Sequence, residues 1–382
     1  MMKKRSYTVL LAPDSFKGSL TSEEVSAALE RGIRSVNSDV TVKSVTLSDG
    51  GEGFIDVFRR HSDGILHSCE VLDPLGAPMT AQYFEITATN TIVIEMAQAS
   101  GLTLIPEEKR NPFQATTYGT GQLIADALDK GFRQFIIGIG GSATSDGGAG
   151  MAQALGVRFY DDSDNEICEP MNSSLIGKCR RISIKNIHKA ISESQFRVAC
   201  DVKNPLLGPE GAVYTYSPQK GASQNELPVL ERNMSSFYSI VEFSFLKKVR
   251  DLPGAGAAGG LGAGLVVFLN ATLESGIDLI LDGIRFDNLL SDVDLVITGE
   301  GRIDNQTMEG KALMGVIRRA AKLSIPVIAV AGKVDCEIDQ LINKGVTSVY
   351  SLIEESGSES EAIEKAAEIL EVLGRRIMIS ES

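Results

Sequence analysis

The feature that most constrains the fold is a strand and helix alternation that occurs twice, at opposite ends of the chain. Near the start, the apolar run Thr8 to Ala12 stops at Pro13-Asp14, and Thr21-Ser-Glu-Glu24 has the form of a helix capping box. Val25, Ala28, Leu29, Ile33 and Val36 then recur at helical spacing, and a second strand is predicted over Thr41 to Leu47. In the last ninety residues, Leu295 to Thr298, Val327 to Ala331 and Val346 to Tyr350 read as short strands. Helical stretches such as Lys311 to Lys322 separate them, and Glu359 to Leu373 follows the third. Two strands and three make five, the number in a flavodoxin-like doubly wound sheet.

The middle, from about Gly64 to Leu290, has a different pattern. Strand candidates at Val71, Tyr83 to Ile86, Ile92 to Met96, Phe135 to Ile139, Phe196 to Cys200 and Val213 to Tyr216 are mixed with helices. The expected architecture is therefore α/β: a discontinuous flavodoxin-like parallel-sheet domain, residues 1–63 and 291–382, with an inserted mixed α/β domain over 64–290. A chain of 382 residues exceeds one typical core, which agrees with two domains. Ligands in doubly wound sheets bind beyond the strand C-termini, where Asp14, Asp49, Glu300 and Gly332 fall.

Charge and cysteine usage exclude several function classes. A net charge of −13 argues against a chain-wide attraction to nucleic acid or anionic membranes, so an anionic substrate needs a local basic pocket. The basic Met-Met-Lys-Lys-Arg start is not followed by a full apolar signal region, and no apolar run approaches a membrane span. Five scattered cysteines without a C-x-x-C pair suit reduced thiols in a cytoplasm, and the three histidines lack zinc-ligand spacing. Glu354 to Glu361 is a biased acidic segment that reads as a solvated loop before the final helix.

Two glycine-rich loops carry the strongest chemical signal. Gly138-Ile-Gly-Gly-Ser-Ala-Thr-Ser-Asp-Gly-Gly-Ala-Gly150 separates a predicted strand from the helical pattern Met151 to Leu155, with six glycines in thirteen positions. Such a turn lets backbone N–H groups approach an anion, although small residues also serve close packing. Pro253-Gly-Ala-Gly-Ala-Ala-Gly-Gly-Leu-Gly-Ala-Gly264 likewise runs into an apolar helix, Leu265 to Leu269. Together they suggest one polyphosphate ligand, held by Gly140, Gly141, Ser142, Thr144, Ser145 and Gly147 in the first loop and Gly256 and Gly259 in the second.

Acidic and basic side chains accompany these loops. Pro13-Asp-Ser-Phe-Lys-Gly18 offers Asp14, Ser15 and Lys17, enough to grip a hydroxy acid, and Asp49, Glu52 and Arg302 extend the substrate-binding set. Asp146, Glu300 and Asp304 are candidate Mg²⁺ ligands, since Mg²⁺ takes a few carboxylates and keeps its waters. Each acid alone also reads as a cap or turn residue. Asp201, delivered by the run Phe196 to Cys200, is placed to accept a proton from a substrate hydroxyl, with Lys17 as its catalytic companion. An Asx-type turn stabiliser is the competing reading of Asp201. Lys220 in Ser217-Pro-Gln-Lys-Gly-Ala222 suits a phosphate contact, a solvated lysine being the commoner case.

Other classes are represented. Gly138-x-Gly140-x-x-Ala143 with Asp161 downstream nominally matches a dinucleotide fingerprint, but the glycines continue to Gly150 where a Rossmann turn enters its helix at once. An NAD-dependent hydroxy-acid dehydrogenase and a non-catalytic metabolite sensor are the alternatives. The absence of Gly-x4-Gly-Lys-Ser/Thr excludes an ordinary P-loop kinase.

Taken together, Leu11-Ala-Pro-Asp-Ser-Phe-Lys-Gly-Ser19, Ser48-Asp-Gly-Gly-Glu-Gly53, the loop around Gly138 to Gly150, Val198-Ala-Cys-Asp-Val-Lys-Asn-Pro-Leu206, Pro218-Gln-Lys-Gly-Ala222, the second glycine loop and Val296-Ile-Thr-Gly-Glu-Gly-Arg-Ile-Asp304 closely resemble the bacterial type I glycerate kinases. The match runs in order over nearly the whole chain; Lys203 and Ser145 are small departures within their motifs. The resemblance implies ATP-dependent phosphorylation of D-glycerate, most often at the 2-hydroxyl, with 3-phosphoglycerate as the other product to exclude. It also implies the same two-domain fold. ATP and Mg²⁺ are the expected cofactors, the location cytoplasmic, and a homodimer compatible with the sequence.

Overall fold

The computed structural model describes residues 6–16, 18–47, 53–305, 307 and 312–381. Contacts divide the chain into two compact units: Met1–Asp49 with Ile280–Ser382, and Gly50–Leu279.

The discontinuous unit is built on a five-stranded sheet in the order Val346–Ser351, Val327–Val334, Leu295–Ile303, Thr8–Pro13, Thr41–Ser44. All four pairings are parallel. In chain order this is 2-1-3-4-5, the flavodoxin-like arrangement. The interior strand Thr8–Pro13 is buried at every position, which is why it reads as an unbroken apolar run rather than an alternation. Its partner register sets Val9 against Leu295 and Pro13 against Gly299. The edge strand Thr41–Ser44 is shorter than its sequence suggests, although Val45 N still donates to Leu11 O at 2.8 Å.

Helix Ser22–Val36 begins at the expected capping box, with Thr21 and Glu24 each bonding the other's backbone N–H. Its apolar face shares a core with Val9, Leu11, Ile297 and Val330 and with helix Ala366–Ser380. The two helices meet at glycines. A Cβ on Gly32 would lie 2.0 Å from Glu371 O, and one on Gly374 2.4 Å from Leu29 O, so the backbones touch where side chains would hold them apart.

The second unit carries a six-stranded mixed sheet, Thr272–Glu274, Gln195–Ala199, Gln134–Gly138, Thr91–Glu95, Pro78–Ile86, Gly64–Leu72. The first four strands run parallel and the last two form an antiparallel meander. Phe135 and Phe196 stack at 4.7 Å between ring centres across the parallel part. The neighbouring strands therefore end side by side at Glu95, Gly138 and Ala199. The first glycine loop and Asp201 leave from two of these ends.

One strand candidate is corrected. Val213 to Tyr216 is helical, within Ala212–Tyr216, and Ala212 and Val213 are buried as adjacent positions of a single turn. A run of four residues is too short for periodicity to separate strand from helix. The second glycine loop also becomes helical earlier than expected, over Ala257–Phe268, with left-handed backbone at Ala258, Gly259 and Gly260 interrupting it.

Candidate active site

The two glycine loops are packed on one another. Gly147 N donates to Gly259 O at 3.0 Å, and Tyr238 Oη donates towards Gly147 O at 2.7 Å and Gly260 O at 3.3 Å. A Cβ on Gly259 would sit 1.9 Å from Thr144 O, and one on Gly264 2.9 Å from Gly148 Cα. Gly256 is closed off by Pro205 O at 2.2 Å from its Cβ position. The glycines expected to cradle phosphate at 147, 256 and 259 thus serve backbone contact inside the unit. Gly140 and Gly141 differ: Gly141 is exposed, has φ +72°, and its Cβ position meets only Ala97 Cβ at 3.7 Å. Solvent reaches the loop at this pair.

Asp146, expected as a metal ligand, braces the loop from within. It is fully buried, and its two oxygens accept from Thr117 N and Oγ1 (both 2.8 Å), Gly148 N (3.0 Å) and Gly150 N (3.2 Å). Burial raises its pKa against the pull of those four donors. An ion would have to displace them, so these residues do not fit Mg²⁺ at Asp146. Thr117 was not singled out by the sequence, because a threonine before a helix start is an ordinary cap signal. Ser145 Oγ lies 3.1 Å from Ser217 Oγ. Thr144 Oγ1 is buried and has no hydrogen-bond partner among the described residues.

Lys220 is not a solvated lysine. It is 1% exposed, and its Nζ donates to Ser142 Oγ at 2.8 Å and Thr144 O at 2.6 Å. Burial pushes its ammonium down to about 7, and the Asp146 charge opposes that shift. The cation thus sits directly behind Ser142 and the solvent-facing Gly140-Gly141 pair. Asp201 is exposed, and its Oδ1 accepts from Gly276 N at 2.9 Å, at the start of helix Gly276–Gly283. The carboxylate thus anchors the start of a distant helix, a different role from the local Asx-type turn weighed against catalysis.

In the discontinuous unit, the strand C-termini open into a cavity of about 370 Å³. Asp14, Ser15, Glu300, Arg302 and Asp304 all line it, so five of the expected site residues share one cavity. Asp14 N is held by Gly299 O at 2.8 Å, and Asp304 and Thr307 exchange hydrogen bonds of 3.1 Å. Arg302 Nη2 and Lys333 Nζ meet the same carboxylate, Asp335, at 2.7 and 3.1 Å. Lys17, Asp49 and Glu52 lie outside the described residues.

Among the described residues, no group of three His, Cys, Asp or Glu side chains is gathered to hold an ion alone. Mg²⁺ does not require one, since it binds through one or two carboxylates and the substrate's phosphates. Glu300 and Asp304, oxygen donors on one cavity wall, fit that pattern. The sequence missed Lys333 and the apolar wall formed by Leu352, Ile353, Ala362 and Ile363. The acidic stretch before the final helix, read as a solvated loop, is partly helical over Glu359–Glu364, capped by Ser358 and presenting Ala362 and Ile363 to the cavity. Its seam of two apolar residues among glutamates was the available signal.

Comparison with known proteins agrees with the motif pattern. Residues 9–380 match the glycerate kinase family. A glycerate kinase of Halalkalibacterium halodurans is 43% identical over 375 residues, 98% of each chain. A glycerate 2-kinase of Escherichia coli K12 is 41% identical over 358 residues, 94% of this chain and 93% of that one. A crystal structure assigned to glycerate kinase 2 of Salmonella typhimurium LT2 superposes with a TM-score of 0.84 at 38% identity, covering 98% of both chains. These likenesses give no support to a dehydrogenase or a sensor. Among the described residues no helix is long and apolar enough to cross a membrane. The chain is an enzyme that phosphorylates glycerate, and it belongs to the glycerate kinase family.

Proposed function

We propose that the chain transfers the γ-phosphoryl group of ATP to the 2-hydroxyl of D-glycerate, with Mg²⁺, giving 2-phospho-D-glycerate, ADP and a proton. The observation that carries the regiochemistry is the 41% identity, over nearly the whole of both chains, to a relative described as a glycerate 2-kinase. The site chemistry supports it. Phosphoryl transfer needs positioning and charge more than covalent participation, and the cavity wall supplies carboxylates and cations together.

Asp201 is the proposed base or orienting group for the attacking hydroxyl, since its exposed carboxylate is anchored through one oxygen by Gly276 N. Gly140 and Gly141 present backbone to solvent, with Ser142 and Lys220 behind them, a setting for a reactant's anionic group. Mg²⁺, when bound, would neutralise phosphate oxygens, with Glu300 and Asp304 holding it. A cytoplasmic homodimer is proposed with it.

The test is a purified-enzyme assay with D-glycerate, ATP and Mg²⁺, reading ADP release without nicotinamide and the product by phosphorus NMR. A 2-phosphate doublet is expected, and activity should vanish in excess chelator. A 3-phospho product overturns the regiochemistry, and full activity in chelator overturns the metal requirement. Sedimentation of the enzyme at assay concentration reads the dimer.

A further inference from the structure

The cavity in the discontinuous unit has a lining of two kinds, apolar side chains and charged ones, and this mixture says which reactant it takes. One wall is apolar: Phe16, Leu352, Ile353, Ala362 and Ile363. All but Ile353 and Ile363 are essentially buried, while Ile363 is 51% exposed at the rim. This wall is fixed in place, because Phe16 N donates to Leu20 O at 2.8 Å and Ser19 Oγ donates to Ile363 O at 3.0 Å, tying the turn after the first strand to helix Glu359–Glu364. The charged part of the lining is Arg302 and Lys333 with the carboxylates of Asp14, Glu300, Asp304 and Glu359.

Glycerate is a three-carbon acid with a polar group on every carbon, and an apolar wall offers it nothing. A purine is flat, with large apolar faces, and its nucleotide carries the charge at the far end. A volume of about 370 Å³ lies within the ordinary range for small-molecule sites, roughly 300–1,000 Å³. Arg302 and Lys333 sit opposite each other in register on adjacent parallel strands and share the single carboxylate of Asp335. They are the cations of a cavity also lined by Asp14, Glu300, Asp304 and Glu359, so a phosphate there would be met by both of them together with a Mg²⁺ held on Glu300 and Asp304.

We propose that this cavity is the nucleotide site, with the adenine ring against the wall of Phe16, Leu352 and Ile363 and the phosphates directed to Arg302 and Lys333. The assignment rests on the kinase reading above. It moves Arg302 from glycerate to the nucleotide and removes the need for the packed glycines to hold polyphosphate. It also gives the Glu359–Glu364 helix a ligand-binding role.

Ile363→Glu tests it, because a half-exposed rim residue can change without opening the core, and Ile363→Leu keeps the apolar surface. Calorimetric titration of ADP and of inorganic tripolyphosphate into each full-length protein separates base from phosphate recognition. Ile363→Glu should weaken ADP at least tenfold and raise KM for ATP, leave tripolyphosphate and the KM for D-glycerate near the unmodified values, and be rescued by Ile363→Leu. Unchanged ADP affinity in Ile363→Glu, or a rise confined to the glycerate KM, overturns the siting. Equal loss of ADP and tripolyphosphate also overturns it, since the effect would then not be on the base. If the unmodified enzyme binds no adenine nucleotide, the ATP reading itself has failed and the siting falls with it.

Discussion

Lys220 and Ser142 form a buried pair: the lysine Nζ lies 2.8 Å from the serine Oγ, beneath the one part of the first glycine loop that solvent reaches. Burial lowers the lysine to about 7, whereas an unfolded lysine titrates near about 10.4. Between those values the unfolded chain binds more protons than the folded one. This group therefore makes stability rise with pH from about 7 towards 10. Lys220→Met should remove that rise, seen by comparing urea midpoints at pH 6.5 and pH 9. The same slope in both proteins would place the titration elsewhere.

Two glycines with similar backbone angles should respond differently to alanine. Gly259 has φ +64° and would drive its Cβ to 1.9 Å from Thr144 O, whereas Gly141 has φ +72° and open space beyond 3.7 Å. Gly141→Ala should cost only the left-handed backbone term, about 1–2 kcal/mol. Gly259→Ala adds a clash of about 1–3 kcal/mol between two loops that cannot separate. Denaturant unfolding reads the difference, and equal losses would contradict the packed-loop description.

Asp201→Asn keeps an oxygen to accept from Gly276 N but removes the negative charge. If Asp201 is the base, kcat should fall about 10²–10⁴-fold with little change in melting temperature. Asp201→Ala should lose both the rate and part of the helix cap, worth about 1 kcal/mol. Near-normal kcat in Asp201→Asn across neutral pH would leave the residue with its capping role alone.

Tyr238→Phe removes the hydroxyl shared by Gly147 O and Gly260 O. The expected loss is about 1–3 kcal/mol, the cost of leaving buried carbonyls unsatisfied. Urea unfolding measures it. No loss would show that Gly147 N to Gly259 O alone holds the loops together.

Much of the fold was legible because strands buried on both faces write themselves as apolar runs, as Thr8–Pro13 and Val327–Val334 do. The capping box at Thr21 and Glu24 was legible because it is wholly local. Val213 was not, since its helical partners are brought by the tertiary fold. The site divides along the same line. Asp14, Glu300 and Arg302 could be placed from strand ends, but nothing local distinguishes the buried Lys220 from a surface lysine, or Asp146 as a brace from Asp146 as a ligand. Burial and donor geometry decide those roles, and both are made by residues distant in the chain, such as Ser142 and Thr117.

The pairing of Thr8–Pro13 with Leu295–Ile303 also dictates an order of events at the ribosome. An interior strand of the five-stranded sheet is made first, yet one of its two neighbours is some 280 residues away. At about 5–20 residues per second, that neighbour emerges on the order of ten seconds or more later. Until then an apolar strand buried on both faces in the finished enzyme has one edge unpaired, a substrate for chaperones and a nucleus for aggregation. The inserted unit, whose residues are contiguous, meets no such delay. Nascent chains stalled before Leu295 should therefore protect the inserted unit from protease while leaving the first strand open to attack.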